Sequence, residues 1–298
     1  MAGLSLRGIF PPVPTPFEGG EVAPARLRRN IELWNTTGLH GYVVLGSNGE
    51  YVHLNERERL LCIETVAAAA GPGRLRIAGT GCESTDETIR FTRAAAAAGA
   101  QAALVVTPHY YRGRMDATAF IEHYTRVADA SPIPVIIYNV PGNTAINLDP
   151  AVPIALSEHP NIVGMKNSSG LLGEIAEVIA AAKPGFQVLA GSGSFVLPAL
   201  AVGGVGGVLA LANVAPRECV RLFDRWHAGE VAEAKALQLR LVELNKAVTA
   251  RWGVPALKAA LDLLGYFGGE PRRPLRPLGD RERMELARIM VRAGILAE

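Results

Sequence analysis

From Pro134 to Lys166 the chain reads PVIIYNVPGNTAINLDPAVPIALSEHPNIVGMK. Two short apolar runs, Pro134 to Asn139 and Asn161 to Lys166, bracket a turn and a helical stretch. Their alternation is weak, as in parallel strands buried on both faces. The same unit recurs on either side. Further apolar runs begin near Gly8 (GIFPPVPT), Gly41 (GYVVLG), Leu75 (LRIAGT), Ala102 (AALVV), Phe186 (FQVLAG) and Gly204 (GVGGVLA), which makes eight.

Helices fit the gaps. Ala25 to Thr37 places Leu27, Ile31 and Trp34 on one face, with Gly38 as its stop. Asn55 can cap the next helix, where Leu60, Ile63 and Ala67 recur at helical spacing. Ser84-Thr85-Asp86-Glu87 is a capping-box pattern opening an Ala-rich helix that Gly99 ends. Eight strands alternating with helices, at roughly 20 to 35 residues per unit, predict an α/β fold of the (β/α)8 TIM-barrel type. After Pro216 the strand signals stop. Arg217 to Ala228, Val231 to Ala250, Pro255 to Leu264 and Asp280 to Ala293 read as helices. The expected organisation is a barrel core over 1–215 and a C-terminal helical extension over 216–298, packed together as one unit.

Composition excludes several classes of function. The 298 residues are 49% hydrophobic and 19% charged, enough apolar material for a large core and too much for a disordered chain. Thirty Lys and Arg against 28 Asp and Glu leave a net charge of +2, which gives no footing for nucleic acid or an anionic membrane surface. Cys62, Cys82 and Cys219 are odd in number and widely spaced, so a disulfide framework is not expected and a reducing compartment is. Met1 to Phe10 lacks the pattern of a signal peptide. Ser194 to Pro216 is uncharged and long enough to span a bilayer, but Pro198, Gly203, Gly204, Gly206 and Gly207 break it up. A cytoplasmic protein is expected.

Active sites of such barrels lie at the C-terminal ends of the strands. Of five lysines, Lys166 alone ends an apolar strand, and period-2 geometry puts Ile162, Gly164 and Lys166 on one side. If that side is the barrel interior, burial disfavours the ammonium, leaving an amine able to attack a ketone. The competing reading is a lysine that snorkels to solvent. Tyr138 ends the preceding strand and would lie beside Lys166, either as a proton relay or as an ordinary core tyrosine. In Gly46-Ser47-Asn48-Gly49-Glu50 the glycines let backbone N–H groups converge on a carboxylate, although such clusters also form plain turns.

Other patterns carry less. The six histidines (His40, His53, His109, His123, His159, His227) show no metal-ligand spacing. Gly191-Ser192-Gly193 and the glycines from Gly203 to Gly207 do not complete a nucleotide-binding GxGxxG. Arg272, Arg273, Arg276, Arg281 and Arg283 read as a solvated surface or a subunit contact.

Five segments in register resemble the dihydrodipicolinate synthase / N-acetylneuraminate lyase family of class I, Schiff-base aldolases. They are GSNGE at Gly46, AGTGCES at Ala78, VVTPHYYRGRM at Val105, IIYNVPGNT at Ile136 and IVGMKNSSG at Ile162. The resemblance implies that Lys166 forms an iminium with a 2-oxo acid such as pyruvate and that Tyr138 is the proton donor and acceptor. It places Ser47 and Asn48 on the substrate's 1-carboxylate and Val208 at a backbone contact to pyruvate. Tyr110 matches a tyrosine that reaches in from a neighbouring subunit to complete a relay from Tyr138 through Ser47. It further implies a homotetramer, a pair of tight dimers, and no metal or organic cofactor.

Two departures bear on the substrate. Dihydrodipicolinate synthases have Arg where this chain has Asn143, and an amide cannot replace that bidentate pairing with the carboxylate of aspartate semialdehyde. They also favour an acidic residue where Asn167 stands. The segments are most similar to those of 4-hydroxy-2-oxoglutarate aldolases, so the expected reaction is cleavage of a 4-hydroxy-2-oxo acid to pyruvate and an aldehyde such as glyoxylate. The alternatives are condensation of pyruvate with aspartate semialdehyde, or a sugar-acid aldolase or hydratase-aldolase reaction. Asn143, Ser168 and Arg112 are candidates for binding a distal carboxylate.

Overall fold

The structure, a computed structural model, describes residues 4–297, so the first three residues of the N-terminal stretch lie outside it. All eight apolar runs become strands: β1 Gly8–Phe10, β2 Gly41–Val44, β3 Leu75–Gly79, β4 Ala102–Val106, β5 Val135–Asn139, β6 Ile162–Asn167, β7 Gln187–Ala190 and β8 Gly206–Val208. Each pairs in parallel with its neighbour, and β8 returns to β1. Between β1 and β2 the closure is thinner, a bridge from Pro12 to Val43 with the Val13 amide donating to the Val43 carbonyl at 2.9 Å. The sheet is a nearly closed barrel.

The helices that cover it are α1 Pro24–Trp34, α2 Glu56–Ala69, α3 Thr85–Ala97, α4 Ala117–Ala130, the short α5 Pro141–Thr144 and α6 Ala151–Leu156, α7 Leu172–Ala181 and α8 Val196–Ala201. In α1 the expected face, Leu27, Ile31 and Trp34, is fully buried. Asn55 caps α2 as expected, with Glu58 completing a reciprocal box. The buried face of α2 is Cys62, Ile63 and Val66; it is turned from the expected stripe, leaving Leu60 and Ala67 half-buried. At α3 only half of the expected box forms. Ser84 Oγ accepts from the Glu87 amide, but the Glu87 carboxylate is drawn to Arg90 instead. A small ribbon pairs Phe17–Glu18 with Glu21–Val22 across a Gly19-Gly20 turn, both glycines at positive φ.

Beyond β8 the chain is helical: α9 Pro216–His227, α10 Val231–Lys246, α11 Gly253–Leu263 and α12 Asp280–Arg292. The helix expected to Ala250 loosens at Ala247 into a π-type turn that runs to Arg251. Helix α9 packs on β1 and α8, and α10 to α12 extend the apolar cluster that holds Ile31 and Trp34. Among the described residues no helix is long and apolar enough to cross a membrane. Ser194 to Pro216, the one suspect stretch, is divided among α8, β8 and a short 3-10 turn.

Period-2 reasoning fails at one position in β6. Ile162 pairs with Val135 but Gly164 pairs with Ile136, so Val163 has no partner and forms a bulge. Ile162 therefore joins the cluster outside the barrel, while Gly164 and Lys166 keep the side of Ile136 and Tyr138. Glycine is required beyond the bulge, where a Cβ on Gly164 would run into the Gln187 carbonyl. The barrel interior is filled by Phe10, Val43, Ile77, Leu104, Ile136, Leu189 and Val208, which close its floor beneath the strand ends.

Candidate active site

Lys166 and Tyr138 are register partners at the ends of β6 and β5, and both are buried, at 3% and 5% exposure. Lys166 Nζ lies 3.9 Å from the centre of the Tyr138 ring. Lys166 does not snorkel; its amine is held inside the mouth. The Tyr138 hydroxyl lies 3.4 Å from Ser47 Oγ. Burial works to raise the Tyr138 phenol, but the neighbouring Lys166 charge and the bond to Ser47 outweigh it and hold the group below the usual phenol value.

Ser47 and Asn48 sit on a single 3-10 turn after β2, Ser47–Gly49, flanked by Leu45 and Glu50 in the left-handed region at φ 60° and 54°. Two such non-glycine residues so close together are unusual and need support from outside the turn. The Thr15 hydroxyl donates to the Gly49 carbonyl at 2.7 Å. The buried Glu50 carboxylate reaches the other way, to Lys258 Nζ at 2.6 Å.

Val208 lies on β8 in the interior cluster with Tyr138. Asn143 is exposed on α5 at the rim of a cavity of about 270 Å³, which Ser47, Tyr51, Val106, His109 and Thr144 also line. Ser168, just past Lys166, packs against Gly191 and lies near enough to the Tyr138 phenol to help lower it, while among the described residues its buried hydroxyl makes no well-aligned hydrogen bond. Tyr110 is separate from the others. Its ring is 76% exposed, stacked edge-on against Tyr111, while its amide and that of His109 donate to Glu83 at 2.8 and 2.9 Å. Within one chain the Tyr138–Ser47 pair does not extend to Tyr110. Arg112 is exposed on the turn that follows.

Asn167 makes its contacts with the neighbouring loops. Its side chain points away from the interior, accepting from the Ser169 amide at 2.8 Å and from Asn139 at 3.5 Å. Asn139 in turn donates to Asn147, which donates to Glu174. This amide chain ties the loops after β5 and β6 together.

Sequence reasoning missed Lys258 and Arg272. Lys258 was one of the lysines in a helical pattern, and Arg272 was grouped with a surface cluster. Arg272 is instead half-buried, paired with Glu58 at 2.7 Å and donating to the His53 and Gly20 carbonyls. The signal for Lys258 was a lone lysine in Ala256–Leu261, a run otherwise wholly apolar and wholly buried. Among the described residues no group of His, Cys, Asp and Glu is placed to hold a metal ion.

The profile of the Dihydrodipicolinate synthetase family matches residues 5–293. A protein of Methanothrix thermoacetophila named 4-hydroxy-tetrahydrodipicolinate synthase is 38% identical over 289 residues, covering 96% of this chain and 97% of its own. A protein of Emericella nidulans named probable mitochondrial 4-hydroxy-2-oxoglutarate aldolase is 39% identical over 276 residues, covering 90% of this chain and 88% of its own. Among solved structures, a prophage protein of E. coli K12 in complex with pyruvate superposes with a TM-score of 0.91 at 27% identity, covering 97% of this chain and 99% of that one. The family's members are lyases that use pyruvate and work through a Schiff base, and with a buried lysine and tyrosine paired at the barrel mouth this chain belongs to the dihydrodipicolinate synthetase family.

Proposed function

We propose that the chain is a class I aldolase that binds pyruvate covalently at Lys166 and joins it to, or releases it from, an aldehyde. The observation that carries this reading is the buried amine of Lys166, 3.9 Å from the Tyr138 ring, with Tyr138 bonded to Ser47. Lys166 Nζ adds to the C2 ketone of the 2-oxo acid, and loss of water gives an iminium. That cation draws electrons from C3, so a C3 proton leaves and an enamine forms. In the forward direction C3 attacks the aldehyde carbon while the Tyr138 hydroxyl protonates the aldehyde oxygen. In cleavage Tyr138 removes the C4 hydroxyl proton as the C3–C4 bond breaks, its electrons pass to the iminium, the aldehyde leaves, and the resulting enamine takes a proton at C3 to return to the imine. Water then hydrolyses the imine.

Ser47 and Asn48 are assigned to the 1-carboxylate and Val208 to a backbone contact with bound pyruvate. Asn143 and Ser168 are assigned to the distal end, where Asn143 lines the mouth cavity and the Ser168 hydroxyl is free to bond. Tyr110, 76% exposed at the rim, is assigned to a neighbouring copy's site in a homotetramer. Tyr110→Phe should slow turnover while leaving imine formation intact, and wild-type turnover in a light-scattering tetramer would remove it from the relay.

For the aldehyde, aspartate semialdehyde is supported by the relatives named 4-hydroxy-tetrahydrodipicolinate synthase. Cleavage of 4-hydroxy-2-oxoglutarate is the second reading, favoured by the Emericella relative and by Asn143, a neutral amide at the mouth where the synthases carry arginine. Borohydride trapping of pyruvate on the wild type but not on Lys166→Ala tests the covalent step. Condensation with aspartate semialdehyde and pyruvate release from 4-hydroxy-2-oxoglutarate, run side by side, then identify the aldehyde. A wild type that borohydride leaves unmodified would overturn the whole reading.

A further inference from the structure

The turn that carries Ser47 and Asn48 is gripped from outside the barrel by residues more than two hundred positions away. Glu50 ends that turn. Its amide donates to the Ser47 carbonyl at 3.2 Å and the Gly49 amide to Gly46 at 2.9 Å, so Glu50 and Ser47 move as one unit. Glu50 is 2% exposed, and its carboxylate does not line the mouth cavity. One oxygen lies 2.6 Å from Lys258 Nζ on α11; the other accepts the Arg272 amide at 2.8 Å and lies 3.5 Å from His53 Nδ1.

The two cations are themselves fixed. Lys258 donates to the Glu270 carbonyl at 3.1 Å, and Arg272 is forked onto Glu58, whose carboxylate accepts from the Asn55 amide at the start of α2. Lys258 Nζ and the Arg272 guanidinium both stand 4.4 Å from the centre of the Phe17 ring. Two anions and two cations thus balance around one aromatic ring, between the site loop and the C-terminal helices. An apolar cluster of the same shape would serve stability as well as a buried ion pair. What the ion pair adds, together with the Arg272 amide on the other oxygen, is a fixed hold on a left-handed residue.

We propose that Glu50 is a positioning residue for the 2-oxo acid: through Lys258 and Arg272 the C-terminal helices set where Ser47 and Asn48 meet the substrate carboxylate. The proposal rests on the aldolase reading above. It goes beyond that reading by making α11 and the segment after it part of the binding site's support.

The test separates hold from stability. Glu50→Gln and Lys258→Met each leave one buried charge unpaired and should lower the melting temperature; Glu50→Gln/Lys258→Met removes both and should recover most of it. Half-saturating pyruvate, read by borohydride trapping over a concentration series, should stay raised about tenfold or more in the double variant, with wild-type trapping at saturation. Wild-type half-saturation in the double variant overturns the proposal. Should that variant fail to fold, Glu50→Asp keeps the charge and shortens the reach. It should raise half-saturating pyruvate while lowering the melting temperature less than Glu50→Gln does, and an unchanged half-saturation overturns the proposal equally. A wild type that traps no pyruvate overturns the aldolase reading and this inference with it, an outcome distinct from trapping that the variants leave unaltered.

Discussion

Two lysines of this molecule are buried, Lys166 at 3% exposure and Lys258 fully, and each stands over an aromatic ring. They differ in what else is near. Lys258 has the Glu50 carboxylate at 2.6 Å and a backbone carbonyl at 3.1 Å. Burial pushes its ammonium below the usual lysine value, and Glu50 works against that shift. Lys166 has, among the described residues, no carboxylate within ion-pair distance; its neighbour is the Tyr138 phenol, which leads through Ser47 to an open cavity. A lysine whose charge is matched is suited to holding structure. One left unmatched beside a hydroxyl and an opening is suited to reacting.

The contrast predicts opposite phenotypes. Lys166→Met should abolish pyruvate trapping and cut turnover by about 10⁴-fold or more, since no other group supplies the nucleophile. Its melting temperature should hold, because the change removes a buried amine that has no ionic partner. A variant that kept even a tenth of wild-type turnover would end the comparison. Lys258→Met should do the reverse. It leaves Glu50 buried and unpaired, a loss of about 3–5 kcal/mol by denaturant titration, while saturated turnover of the folded fraction stays near wild type. A loss under about 1 kcal/mol would mean that Glu50 finds another partner, and His53 at 3.5 Å would be the place to look.

Tyr138→Phe sharpens the chemical side. Imine formation should survive, but carbon–carbon bond making or breaking should slow by about 10²–10³-fold. The neighbouring lysine holds the Tyr138 phenol below its usual value, so the alkaline limb of the wild-type pH–rate profile should move or vanish in the variant. An alkaline limb unchanged in the Tyr138→Phe enzyme would assign that ionisation to another group.

The two lysines were not equally legible in the sequence. Lys166 was found because strand, register and position at a strand end are local facts, readable from Asn161 to Lys166 alone. The eight strands were legible for the same reason, and so was the Asn55 cap. Lys258 meets Glu50 across 208 positions, and nothing local marks that distance except the oddity of one lysine in an apolar helix. The bulge at Val163 was hidden because period-2 counting assumes an unbroken ladder. The face of α2 was misjudged because three adjacent alanines make one stripe nearly as apolar as the next. Tyr110 is a different case: its motif was plain, but one chain alone leaves its ring in solvent.

The third buried base gives the smallest effect and the cleanest sign. His123 on α4 is 5% exposed; its Nδ1 meets the Thr85 hydroxyl at 2.9 Å, and among the described residues its Nε2 has no partner. Burial lowers its pKa from 6.5 to about 4, and the distant Glu83 only partly opposes this. The unfolded chain therefore takes up this proton first as pH falls. The stability that neutral His123 allows is complete above pH 6.5 and is lost progressively down to about pH 4, a total of roughly 3 kcal/mol. His123→Gln keeps an amide toward Thr85 and cannot ionise. The stability of this variant relative to wild type should improve by that amount between neutral pH and pH 4, measured by paired denaturant titrations. A difference that stays flat with pH would show that folded His123 takes up its proton at the same pH as the unfolded chain, and that an unmatched buried cation is tolerated in this fold even where no chemistry requires it.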